Sequence, residues 1–213
     1  MRRHRYLAVP ALIFVLGGAL PGLQGCAAII GVGGIAAVST LEDRRSTGAQ
    51  FDDNTIESRA ASRISERFGE RAHVNVAAFN RAVLLTGETW DEATRAEIEK
   101  IVAEVPNVRT VNNEIQVGGL SSTTSRANDT ALTARVKGRF LNSKEFSSLH
   151  VKVVTEAGVV YLLGLVTESE AAAATELART TSGVRKVVRV FDYCKIPDEL
   201  CRPGPSGKPK PAA

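Results

Sequence analysis

The chain repeats itself, and that repeat narrows the folds open to it more than any other feature. Asp53-Asn54-Thr55-Ile56 aligns with Asp129-Thr130-Ala131-Leu132, and the apolar ladder Ile56, Ala60, Ile64 matches Leu132, Val136, Phe140 at an offset of 76. His73-Val74-Asn75-Val76 then matches His150-Val151-Lys152-Val153 at 77, as Val83-Leu84-Leu85-Thr86-Gly87 matches Val160-Tyr161-Leu162-Leu163-Gly164. Val108-Arg109-Thr110-Val111 returns to an offset of 76 against Val184-Arg185-Lys186-Val187. Four blocks in one order with single-residue slips mean two copies of one folding unit.

Each copy reads helix–strand–strand–helix–strand. The first helices carry an apolar residue every four positions and are expected to start at Asp53 and Asp129, residues suited to capping. Paired apolar strands follow, split by the turns Asn80-Arg81 and Ala157-Gly158. Thr89-x-x-Glu92 and Thr167-x-x-Glu170 have the capping-box spacing that opens a second helix. Pro106 and Gly183 end those helices before a Val-rich third strand. The fold class is therefore α+β, two tandem αββαβ units, each a small three-stranded mixed sheet packed by two helices. A unit of roughly 65 residues has a marginal core, so the two should lean on each other or on the tail.

The ends of the chain are of another character. Arg2, Arg3 and Arg5 precede an apolar run from Tyr6 to Leu20, and Leu23-Gln24-Gly25-Cys26 has the form of a lipoprotein cleavage site, with Gln24 where a smaller residue is usual. The run is shorter than the ~20 residues that span a bilayer, which leaves a transmembrane anchor as the lesser alternative. We read residues 1–25 as a lipoprotein signal peptide and Cys26 as the lipidation site, carrying palmitate-type acyl chains. Loss of the three leader arginines takes the formal net charge from +4 to +1, so the basic pI is no argument for nucleic acid. Residues 26–50 read as a lipidated tether, 51–118 as the first unit, 119–127 as a linker, 128–193 as the second unit and 194–213 as a tail, disordered after about 202. Cys194 and Cys201 are an even pair in an exported chain and are expected to form a disulfide.

The Asp-x-x-Ile/Leu start, the Val-x-Leu-x-Gly strand end and the Gly/Asn-Val-x-x-Val third strand together resemble the BON domain. Tandem copies behind a Leu-Gln-Gly-Cys lipobox resemble the lipoproteins of that family from the lipobox to about Phe191. The resemblance implies a lipid-anchored outer-membrane protein facing the periplasm, which binds anionic, phosphatidylglycerol-like phospholipid and supports envelope integrity. It places lipid contact on the first helix of the second unit. Ala27 follows the cysteine where an inner-membrane retention signal would place Asp. The soluble relatives in the family suggest the alternative partners, envelope proteins held by a scaffold or chaperone-like module.

The two copies can be compared on this point. Opposite the apolar ladder, the first helix presents Thr55, Ser58, Ser62 and Ser65, whereas the second presents Ala131, Ala134, Gly138 and Leu141. Residues 52–68 have net charge −1 and residues 129–144 net +3. An apolar strip flanked by cations suits shallow contact with an anionic surface, so Arg135, Lys137, Gly138, Arg139, Leu141 and Lys144 are the candidate lipid-binding residues. The family carries an aromatic residue at the position of Ala131, leaving Leu141, or Phe146 in the next loop, as the apolar anchor. The same strip of small residues would also serve as a buried contact against the first unit.

No catalytic constellation is legible. Gly-x-Ser-x-Gly, His-Glu-x-x-His and P-loop patterns are absent, and Gly31-x-Gly33-Gly34 lacks the strand and helix a nucleotide loop needs. We expect no enzyme activity, no cofactor and no metal, because His73 and His150 lie in separate units and are too few ligands for zinc. Both read as partly exposed strand residues. Trp90 reads as a helix-start staple onto the core, with a partner anchor as the alternative.

Overall fold

Residues 43–195 and Cys201 are described by the structure, a computed structural model. Cys26, the leader and most of the tether lie outside the described residues, as does nearly all of the tail. In the first unit α1 (Thr47–Phe68) leads to the hairpin β1 (Ala72–Phe79) and β2 (Ala82–Thr89), then α2 (Glu92–Ala103), β3 (Thr110–Asn113) and the short β4 (Gln116–Val117). The second unit repeats this as α3 (Thr123–Leu141), β5 (Val151–Glu156), β6 (Val159–Val166), α4 (Glu168–Arg179) and β7 (Lys186–Tyr193). β2 and β6 are central, antiparallel to β1 and β5 and parallel to β3 and β7. The third strand of the first unit is broken, because Ile115 turns into the core while β4 resumes pairing with β2 beyond it.

Both first helices start earlier than expected. Ser46 and Ser122 are the N-caps, their hydroxyls accepting from the amides of Ala49 and Ser125, so helix extends into the stretches assigned to tether and linker. Asp53 and Asp129 lie inside the helices and are buried. Their carboxylates accept both amides of the facing hairpin turn: Asn80 and Arg81 donate to Asp53 at 2.8 and 2.7 Å, and Ala157 and Gly158 to Asp129 at 2.9 and 2.8 Å. All four turn residues have positive φ, the primed geometry of tight hairpins. The repeated Asp is therefore a turn clamp, each carboxylate joining a helix to a hairpin.

The start of α2 also differs from the capping-box expectation. Thr89 belongs to β2 and is fully buried, and Asp91 caps the helix by accepting from the Thr94 amide at 2.7 Å. Strand pairing extends further than a local capping pattern can reveal. The Thr167–Glu170 capping box forms as expected.

Alternation along the strands sorts the interior into three layers. Val83, Leu85 and the α1 ladder form one core, and Val160, Leu162 and the α3 ladder form another. The opposite strand faces meet each other: Phe79 and Leu84 pack with Tyr161, Leu163, Leu165 and the Cys194–Cys201 disulfide. Each sheet thus has helices on one side and the sister sheet on the other, which is how two marginal cores become one body. Every residue of β2 is buried in consequence.

The segment ahead of α1 is docked. Arg44 donates to Glu170 at 2.6 and 2.9 Å and to the carbonyl of Leu165 at 3.0 Å. Arg45 bridges Asp43 and Asp53 and lies 4.1 Å over the Phe79 ring. The last residues of the expected tether therefore cross-link the two units.

Candidate functional site

α3 exists as a helix because Leu132, Val136 and Phe140 seat in the second core, and that seating decides what faces away. Ala131, Ala134 and Leu141 are exposed and Gly138 is half-exposed, with nothing within 4 Å of where a Cβ would stand. Leu141 is 73% exposed, a large value for its type. Among the described residues the strip is open to solvent and makes no interdomain contact, since the sister sheets make that contact instead. The equivalent face of α1 presents Ser58, Ser62 and Ser65.

The flanking cations differ in what they do. Lys137 and Lys144 are exposed. Arg135 is exposed and leans over the turn at Gly183, its Nη2 3.3 Å from a Cβ built there. Arg139 is half-buried and donates to the carbonyl of Leu177 at 2.7 Å and to the Thr180 and Thr181 hydroxyls. It pins α3 to the C-terminal end of α4, where a cation also suits the helix dipole. Phe146 is buried edge-on against Phe140, centroids 5.0 Å apart, so it is core. A shallow hollow of about 360 Å³ beside the helix end is lined by Arg139, Lys144 and Leu177 among others.

His73 is the partly exposed strand residue expected, whereas His150 closes the turn ahead of β5 and is buried. His150 faces Glu170, with Nδ1 3.7 Å from the carboxylate. Burial pushes the Glu170 carboxyl up, but hydrogen bonds from His150, Arg44 and the Thr167 amide outweigh it and hold it well below the usual carboxylate range. His73 pairs with Glu88 at 3.1 Å, in the line of the sister-sheet interface. Glu156 approaches from β5, accepting from Asn75 at 2.8 Å. Burial raises its carboxyl, and the nearby charge of Glu88 raises it further. Tyr161, in the inter-sheet layer, is pushed up to about 12 by burial and by the charges of Glu114 and Glu156. A cleft of about 200 Å³ opens beside this cluster, lined by His73, Asn75, Asp129 and Glu156 among others. Counting histidines alone concealed the cluster, because its carboxylates come from positions far apart in the chain.

Trp90 is 61% exposed rather than stapled to the core. It follows the last residue of β2, and Val117 and Leu120, also exposed, lie on the adjoining β4 segment and linker. Among the described residues no helix is long and apolar enough to cross a membrane.

Comparison with known proteins falls in line with this architecture. The BON domain matches residues 52–119 and again 128–195. The chain is 35% identical over 181 residues to "Outer membrane lipoprotein DolP" of Haemophilus influenzae, covering 84% of this chain and 94% of the relative. It is 35% identical over 153 residues to the "21 kDa hemolysin" of Actinobacillus pleuropneumoniae, covering 71% and 79%. The match to "Osmotically-inducible protein Y" of Escherichia coli is 28% over 144 residues, covering 66% and 72%. Neither the matched family nor these names carries an enzymatic activity.

Proposed function

This chain belongs to the BON domain family as an outer membrane lipoprotein with two copies of the domain, and on that premise we propose that its second domain reads anionic phospholipid surfaces from the periplasmic side. Cys26 carries the lipid anchor, and α3 lies on the membrane through Ala131, Ala134, Gly138 and Leu141. Envelope integrity is the role such binding serves. The observation that carries this reading is the exposed strip ending in Leu141, set against the hydroxylated face of α1. Burying one leucine contributes about 1.5–3 kcal/mol, and each basic group near an anionic surface about 1 kcal/mol. Lys137, Lys144 and Arg135 are the side chains free to supply that charge, and Arg139 acts by holding α3 in place. Contact of this size is weak and salt-sensitive, which suits a protein already confined by an acyl anchor.

The test is sedimentation of the unlipidated chain, residues 27–213, with vesicles of phosphatidylcholine alone or with added phosphatidylglycerol. Binding is expected only with the anionic lipid and should fall with salt. Arg135→Glu, Lys137→Glu and Lys144→Glu together should weaken it on the order of 100-fold, and Leu141→Asp about tenfold. Equal binding by the charge-reversed protein would sink the reading.

A second reading is favoured by Trp90 with Val117 and Leu120. Exposed apolar side chains at one end of the first domain suit a protein partner, and β3 and β7 lie at sheet edges where strand addition is open. Envelope proteins captured through this end would survive the α3 reversals and be lost on Trp90→Ala.

A further inference from the structure

We propose that His73, Glu88 and Glu156 form a zinc-class divalent cation site that clamps the two BON domains together. One ligand atom from each of the three residues lies within 4.8 Å of the others. A tetrahedral zinc with bonds of about 2.0–2.2 Å separates its ligand atoms by roughly 3.3–3.5 Å, so closure needs side-chain movements of about an ångström. One imidazole and two carboxylates leave a fourth position for water, and the adjoining cleft of about 200 Å³ provides room and access. An imidazole in the set favours a first-row metal over calcium.

The strands place these groups by register. His73 is paired with Glu88 and Asn75 with Thr86 across β1 and β2, which sets all four on the face turned toward the sister sheet. Glu156, at the end of β5, comes from the other domain. Two features mark the cluster as short of a cation. Glu88 and Glu156 are 8% and 6% exposed, so two carboxylates are held together with little water to screen them; Asp129 adds a third on the cleft wall against the one guanidinium there, that of Arg126, and an excess of buried negative charge is costly. Independently, the Thr86 hydroxyl is 1% exposed and has no hydrogen-bond partner among the described residues. A metal-bound water on this face is the group that would supply one. The surrounding contacts already have the outer-shell form of a metal centre: the Ser121 amide donates to Glu88 and the Asn75 amide to Glu156.

Because its ligands come from both domains, a bound ion acts as a cross-link and stabilises the folded chain by linkage. The metal-stripped chain, residues 27–213, is titrated with zinc chloride by calorimetry and melted with and without the ion. One site per chain is expected, with a rise in Tm of roughly 5–10 °C at zinc a hundredfold above Kd. His73→Gln and Glu156→Gln, each checked for native circular dichroism, should weaken binding at least tenfold and abolish the shift, whereas Glu145→Gln, at an exposed carboxylate, should change neither. Glu156→Gln should also raise the metal-free Tm by relieving the carboxylate pair, a readout that does not depend on zinc. Absence of binding to the wild type, or undiminished binding by both variants, overturns the proposal.

Discussion

A single carboxylate in each domain does more than its place in the helix suggests. Asp53 and Asp129 look like helix caps because they precede an apolar ladder, yet each is buried and spends both oxygens on the amides of a primed turn. Charge-assisted bonds of this kind contribute about 1.5–3 kcal/mol each, and removing the acceptor leaves donors unpaired. Asp129→Ala should therefore destabilise the protein by about 2–4 kcal/mol in urea unfolding, whereas a mere capping residue would cost about 1 kcal/mol. A value at or below the capping figure would return Asp129 to that lesser role. Gly87 and Gly164 are constrained at the same scale. A Cβ at Gly87 would stand 2.0 Å from the His73 carbonyl oxygen, and one at Gly164 would stand 2.4 Å from that of His150. The glycine closing the repeated strand block is there because the neighbouring backbone leaves no room for a side chain.

Among the elements, α3 and α4 show how one helix is locked while its outer face stays open. Arg139 ties α3 to the end of α4, and Glu170 ties the start of α4 to Arg44 and His150. The folded Glu170 carboxyl is depressed, so the stability it contributes is complete above the unfolded carboxylate range, near pH 4.3, and is lost as pH falls below it. Wild-type Tm should drop steeply on that acid limb, and Glu170→Gln should be less stable at neutral pH with a flatter acid limb. Parallel Tm profiles between about pH 2 and 7 would show that the ion pair contributes nothing to folding. The opening of α1 is governed likewise by contacts beyond the local sequence. Ser46 caps it, and the residues just ahead reach across to the second domain, so a segment that looks like slack is part of the joint.

For the molecule as a whole, the shared layer between the sheets decides how it unfolds. On that face Phe79 and Leu84 join a cluster whose other members, Tyr161, Leu163 and Leu165 with Val154, Val188 and Val190 beside them, belong to the second domain. Removing one domain would expose the other's sheet, so the pair should unfold in one transition. Fluorescence of Trp90, which reports the first domain, and far-ultraviolet circular dichroism, which reports both, should trace the same curve in denaturant. Separate midpoints would mean that the inter-sheet layer is weak. The Cys194–Cys201 disulfide is buried at the edge of that layer. Replacing both cysteines by serine should lower stability by roughly 2–3 kcal/mol while leaving the transition single.

The internal repeat, the order of elements and the apolar ladders that seat α1 and α3 are all legible along the chain, because a helix or strand writes its buried face into a short-range period. So are the apolar strip on the outer face of α3 and its excess of positive charge, since a helix's outer face is fixed once its inner face is known, but that the strip stays open instead of packing on the first domain is read only from the fold. Tertiary structure alone decided the rest: the target of Asp53 and Asp129, the burial of Phe146, the exposure of Trp90, the task of Arg139 and the meeting of His73 with Glu88 and Glu156. Each depends on which surfaces of distant segments come together. That choice follows from how two half-sized cores cover their remaining apolar faces, and no local pattern of residues encodes it.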